Sequence, residues 1–155
     1  MYKDIYWVKN ISKTKKDITV AGRSAEEVRT AVQKWFSENG IKMMKNTPEY
    51  IKGRWGSGVL TAAKYFQVSF KQTEGGIIAQ TEGWIAAFGL RDQEFSSHGL
   101  MGGIPKREGW RAMERLWNML KDLAKEASRF CPACGQGITS QNVKFCPNCG
   151  NSLKS

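Results

Sequence analysis

The sequence contains a single histidine, His98, and no cysteine before residue 131. It therefore suggests neither a histidine–carboxylate pair nor a cysteine nucleophile in its first 130 residues, and we expect a protein that is not an enzyme. No apolar run reaches the roughly 18 residues that a membrane span requires. The first residues also lack the apolar core of a signal peptide, so we expect a cytoplasmic location.

All four cysteines of the chain belong to two Cys-Pro-x-Cys-Gly repeats near its end. Proline and glycine favour the tight turn that directs both sulfurs of a repeat toward one ion. Two such repeats supply the four thiolates that structural zinc prefers. The motif resembles that of the zinc-ribbon family over residues 130–150. The resemblance implies one Zn²⁺ bound by Cys131, Cys134, Cys146 and Cys149.

Two other uses of these cysteines remain open. They could form disulfides in an oxidising compartment, or they could hold iron in a rubredoxin-like site. With either metal, a closed four-sulfur site has no free position for water or substrate. The repeats therefore predict a structural or adhesive role for this end of the chain, not a catalytic one.

The formal net charge is +10, and much of the excess lies in residues 1–16, which contain five lysines and one aspartate. A basic arm of this kind favours contact with nucleic acid or another polyanion. The candidate phosphate contacts are Lys13, Lys15 and Lys16. A contribution to solubility alone is the alternative interpretation of the same lysines.

Between the arm and the cysteines, residues 17–129 predict an α+β domain, in which an antiparallel sheet packs against an amino-terminal helix and a long carboxyl-terminal helix. Ser24 and Glu27 have the spacing of a capping box, and the helix they start should end at Asn39-Gly40. Pro105 is expected to open the last helix, which runs to about residue 129. Alternation predicts strands at 17–23, 41–45, 50–55, 63–72 and 77–88. The small zinc ribbon, residues 130–155, completes the predicted organisation.

Residues 89–103 show no period and predict a long loop, with His98 as an exposed polar residue. The element order of residues 17–129 resembles that of the helix-grip family, the START-like domains. That resemblance implies a curved sheet closed by the last helix over an apolar cavity. A sheet packed solidly on both helices is the alternative. We expect a zinc-binding adaptor for nucleic acid or a protein partner, with a carrier of a small apolar ligand as the second hypothesis.

Overall fold

The computed structural model describes residues 13–56, 62–86, 93–98, 103–127, 131, 133–138 and 143–153. These residues form a six-stranded antiparallel sheet and two helices. In chain order the elements are β1 (Thr14–Val20), α1 (Ala25–Glu38), β2 (Lys42–Asn46), β3 (Tyr50–Trp55), β4 (Ala63–Thr73), β5 (Gly76–Ala86), β6 (Gln93–Glu94) and α2 (Gly103–Ala127). The α+β class predicted from the sequence is confirmed.

The strand order is β1-β5-β4-β3-β2, and the short β6 also pairs with β5. The hairpin of β4 and β5 is the longest pairing, with register from Ala63 opposite Ala86 to Thr73 opposite Gly76. Strand β1 lies at one edge of this order and pairs only with β5 among the described strands. Strand β6 pairs with Trp84 and Ile85, next to where the β1 pairing begins at Gly83.

Helix α1 begins with the capping box that the sequence predicts. The Ser24 hydroxyl accepts a 3.2 Å hydrogen bond from the Glu27 N–H, and the Glu27 carboxylate accepts a 2.8 Å bond from the Ser24 N–H. The backbone N–H of Ser24 is the largest cause of a lowered pKa at Glu27. The buried side chains of the helix are Val28, Val32, Trp35 and Phe36. Their spacing of three and four residues puts one apolar face against the sheet.

Helix α2 begins at Gly103, two residues before the predicted start at Pro105. The first four N–H groups of a helix have no partner within it, so proline fits anywhere in the first turn. The helix can therefore begin before Pro105. The buried apolar side chains of α2 include Ala112, Met113, Leu116, Trp117 and Leu120. At 1.5 Å per residue the helix is about 37 Å long and crosses the sheet over β1 and β5.

Side chains fill the space between the sheet and the helices. Phe36, Phe66, Met113 and Leu116 are all completely buried in one continuous cluster. The Trp35 and Phe66 rings meet edge to face, with centroids 6.1 Å apart. Among the described residues the arrangement is therefore a two-layer domain whose buried side chains form one continuous cluster between the sheet and the helices.

Several predicted strand limits were wrong. Strand β2 is shifted by one residue from the predicted 41–45, and β1 spans Thr14–Val20 and not 17–23. Strand β1 begins early because Lys15 and Lys16 pair with Glu82 and Thr81 on β5. Lysine is a poor strand former but is common on edge strands, where its charge prevents pairing with another chain. The loop predicted at 89–103 also contains β6 within its described part.

Phe95, directly after β6, is anchored in the core and is only 2% exposed. The Thr14 hydroxyl accepts a 2.8 Å hydrogen bond from the Phe95 N–H and donates a 3.2 Å bond to its carbonyl. The ring occupies a slot between Gly83 and Gly109, where added Cβ atoms would approach it to 2.4 and 2.2 Å. Only glycine leaves room for the ring at these two positions.

Candidate functional site

The four cysteine sulfurs come together at the end of the chain. All four Sγ atoms lie within 4.8 Å of one another. The Sγ atoms of Cys131 and Cys149 are 3.5 Å apart, and those of Cys134 and Cys146 are 3.6 Å apart. Four thiolates at about 2.3 Å from a tetrahedral zinc are about 3.8 Å from each other. The donor set and its spacing therefore fit a single tetrahedral ion.

The same distances bear on the disulfide interpretation. A covalent S–S bond is about 2.05 Å long, and all four cysteines are free thiols. Each 3.5–3.6 Å pair joins one cysteine from the first repeat to one from the second. The sulfurs of both repeats therefore face one common centre.

Both repeats fold into the same turn. The Gly135 N–H donates a 2.8 Å hydrogen bond to the Cys131 carbonyl, and the Gly150 N–H donates an identical bond to the Cys146 carbonyl. Each glycine has a φ of 71°, in the left-handed region that favours glycine. The Cys-Pro-x-Cys-Gly pattern thus gives each repeat a turn whose last residue has the left-handed backbone that glycine favours.

Hydrogen bonds to the sulfurs separate their pKa values. At Cys134 the backbone N–H of Gln136 and the side-chain amide of Asn148 lower the pKa from 9.0 to about 6. At Cys149 the N–H of Asn151 lowers the pKa, but the Cys134 sulfur, desolvation, and the Cys131 and Cys146 sulfurs outweigh it and together raise the pKa to about 12. Thiolates at this spacing repel each other, and a bound cation is what allows all of them to ionise.

A few apolar side chains support the cluster. Cys131, Cys146 and Ile138 are buried, and Val143 and Leu153 pack against them. Phe145, by contrast, is 60% exposed. So small a core supplies little hydrophobic stabilisation, and segments of this size usually need a metal or disulfides to fold.

The structure places the three candidate lysines at the start of β1. Lys13 is engaged within the molecule, since its Nζ lies 2.7 Å from the Glu82 carboxylate and 4.2 Å from the centre of the Trp84 ring. The Lys16 Nζ lies 4.6 Å from the Trp117 ring centre. Lys15 is the most available of the three, with a side chain 63% exposed and a 3.4 Å contact to Glu82. The remainder of the predicted arm, residues 1–12, lies outside the described residues.

A second group of basic residues, which was not predicted from the sequence, lies on β2 and β3 and contains Lys42, Lys45, Lys52 and Arg54. Lys52 lies between two aromatic rings, 5.1 Å from the centre of Trp84 and 5.8 Å from that of Tyr65. These rings are stacked with centroids 5.5 Å apart. Strand alternation puts Tyr65 on the face of β4 that is turned away from the core. Only the strand order shows which lysines lie beside Tyr65. His98, as predicted, is exposed, and its Nδ1 lies 2.7 Å from the Ser97 hydroxyl.

No protein-family model matches the chain, and no curated protein matches it in sequence. The fold and the cysteines define a class, an α+β protein with a candidate four-cysteine metal site. Neither helix in the described part of the chain combines the length and the apolar character that a membrane crossing needs.

Proposed function

We propose that this chain is a non-enzymatic, zinc-binding adaptor protein that binds nucleic acid. In this proposal residues 130–155 form a zinc ribbon, the sheet and helices from β1 to residue 129 form the binding domain, and the basic residues that precede β1 add an arm. The observation that carries the metal assignment is the convergence of four free thiols within 4.8 Å. Free thiols at this spacing also favour a reducing compartment such as the cytoplasm.

The ion would be structural. Cys131, Cys134, Cys146 and Cys149 would hold it, and four thiolates complete a tetrahedral shell with no position left for substrate. When bound, zinc supplies the positive charge that four neighbouring thiolates need, together with a rigid link between the two repeats. Zinc is preferred to iron because it is the ion most often found in structural four-cysteine sites of this spacing.

The nucleic-acid part of the proposal rests on charge. The chain has a formal net charge of +10, and Lys15 extends into solvent at the edge of the sheet. A protein of this balance attracts phosphate backbones at long range. A carrier function is not proposed, because the described core is filled by side chains.

Titration of the intact, metal-loaded protein against labelled DNA and RNA at about 50 mM salt tests this function. Fluorescence anisotropy should show binding that weakens steeply as salt is raised, because each phosphate contact releases counterions. The absence of binding with single and double strands of both nucleic acids at micromolar protein would rule out the nucleic-acid assignment. Replacing Lys13, Lys15 and Lys16 together by glutamine should reduce the salt dependence.

A further inference from the structure

The outer face of the sheet, meaning the face turned away from α1 and α2, has no described element packed on it. Alternation along β4 buries Phe66 against the helices and turns Tyr65 and Gln67 the other way. Their cross-strand partners define two rows. One row contains Glu94, Trp84, Tyr65, Arg54 and Lys42, and the other contains Lys15, Glu82, Gln67, Lys52 and Lys45. At about 4.8 Å per strand each row is roughly 19 Å long.

The charge on these rows is unbalanced. They contain five basic side chains and only two carboxylates, those of Glu82 and Glu94. Glu82 is already shared by Lys13 and Lys15. Within the described ranges, none of the side chains of Lys42, Lys45, Lys52 and Arg54 forms an ion pair.

Helix α1 is different. There the basic side chains have acidic neighbours one turn away on the same helix, as in Arg29 with Glu26 and Lys34 with Glu38. Pairs of this kind neutralise each other locally. The two rows on the outer face of the sheet therefore carry a net positive charge, and they suit an anionic partner.

Aromatic rings lie among the unpaired cations. Tyr65 stacks on Trp84 at an interplanar angle of 12°, and Lys52 lies over both rings. Trp84 is only 6% exposed, whereas Tyr65 is half-buried and can present one edge or face to a ligand. Tyr50 lies beside Lys45 farther along the same face, with the Nζ 6.0 Å from the ring centre. Aromatic rings between lysines bind unpaired bases by stacking and their phosphates by charge.

We propose that this outer sheet face binds single-stranded nucleic acid, with Lys52, Arg54 and Lys15 contacting phosphates and Tyr65 stacking on a base. The inference rests on the proposed function and names its surface and its ligand. A duplex fits less well, because the major groove admits a helix or a two-stranded ribbon and not a five-stranded sheet. An acidic peptide would satisfy the lysines but would make no use of the tyrosine faces.

The test uses the full-length, metal-loaded protein and a labelled mixed-sequence oligonucleotide of about 12 nucleotides, as single strand and as duplex. The single strand should bind more tightly than the duplex. Lys52→Gln with Arg54→Gln should reduce the logarithmic salt slope by about 1.4, which corresponds to two phosphate contacts on a single strand. The matched control is Lys34→Gln with Arg115→Gln, which removes the same two charges from the helices and should leave the slope unchanged.

Tyr65→Leu separates stacking from charge. It keeps an apolar side chain on the strand but removes the ring, and should weaken single-strand binding roughly 5- to 150-fold without changing the salt slope. Circular dichroism identifies any variant that fails to fold. If Tyr65→Leu does not fold, the double variant Lys52→Gln and Arg54→Gln alone tests the outer-face assignment.

Each other result overturns the proposal in its own way. If the wild-type protein binds no nucleic acid, the proposed function fails as well. If the wild-type protein binds but the outer-face variants match it, the proposed function stands and this surface is wrong. Equal or tighter binding of the duplex contradicts the single-strand assignment. If polyglutamate displaces the labelled oligonucleotide as effectively as unlabelled oligonucleotide does at the same concentration of charge, the partner is an acidic protein.

Discussion

The indole Nε1 of Trp117 on α2 donates a 2.8 Å hydrogen bond to the Thr81 hydroxyl on β5. The same hydroxyl donates a 2.7 Å bond to the Lys16 carbonyl on β1. Thr81 is 1% exposed and Trp117 is 6% exposed, so this chain of bonds is shielded from water. It joins the long helix, the central hairpin and the edge strand through one buried hydroxyl group.

Trp117→Ala should therefore destabilise the domain strongly. Removing a buried indole typically costs about 3–5 kcal/mol in the free energy of unfolding. Urea unfolding of the metal-loaded protein measures the loss, and Asn118→Ala, at the exposed neighbouring position, should change stability by less than about 0.5 kcal/mol. A loss at Trp117 as small as that of the control would show that the indole is not part of the core.

A second prediction concerns the slot around Phe95. Glycine in a helix usually costs about 1 kcal/mol relative to alanine, so Gly109→Ala would ordinarily stabilise α2. Here the new Cβ would lie 2.2 Å from two carbons of the Phe95 ring, and we expect a net loss of about 1–3 kcal/mol. Thermal unfolding checks the sign. Gly75→Ala, where nothing lies within 4 Å of the added Cβ, is the matched control and should be neutral or slightly stabilising.

The third prediction concerns acid stability. Burial tends to raise the pKa of Glu82, but hydrogen bonding and charge from Lys13 and then Lys15 overcome it and hold the pKa below the ordinary 4.5. A carboxylate with a depressed pKa stabilises the fold above its unfolded pKa, and this contribution is lost as pH falls through the folded value. Glu82→Gln should therefore lower stability at pH 7, and the difference from wild type should vanish in acid below the folded pKa.

Unfolding measured at several pH values checks this window. Glu74→Gln, at the exposed turn between β4 and β5, serves as the control. A stability difference for Glu82→Gln that grows as the pH falls below 4.5 would have the wrong sign and would refute the assigned ion pairs.

The domain division makes a further prediction. Main-domain and cysteine-segment side chains form two separate buried clusters among the described residues. A chain ending at residue 128 should therefore keep its helices and strands and unfold in one cooperative transition. Far-ultraviolet circular dichroism with urea titration tests this. Loss of all secondary structure on truncation would show that the two parts depend on one core.

Local patterns made much of this fold predictable. The capping box of Ser24 and Glu27 involves residues three apart, and β3 spans 50–55 as the alternation indicates. The cysteine repeats are equally local, because each turn is formed by consecutive residues. Signals of this kind depend on propensity and spacing, which can be read directly from the chain.

Features that depend on distant partners were not predictable. The slot of Phe95 is formed by Gly83 on β5 and Gly109 on α2, which no short motif connects. The basic outer face needs the order β1-β5-β4-β3-β2, because that order places Lys15, Lys52 and Lys45 in one row. Lysine in β1 also concealed the start of the strand, since pairing with Glu82 and Thr81 overrides its weak propensity.

The central claim is that four thiolates hold one zinc ion, and metal analysis joined to X-ray absorption tests it most directly. Protein purified without chelator should contain one zinc per chain, with four sulfur atoms at about 2.3 Å. Cys134→Ser should lose the metal or replace one sulfur by a lighter atom. Protein that contains no metal and keeps this segment ordered through disulfides, or an ion bound by oxygen and nitrogen, would contradict the account.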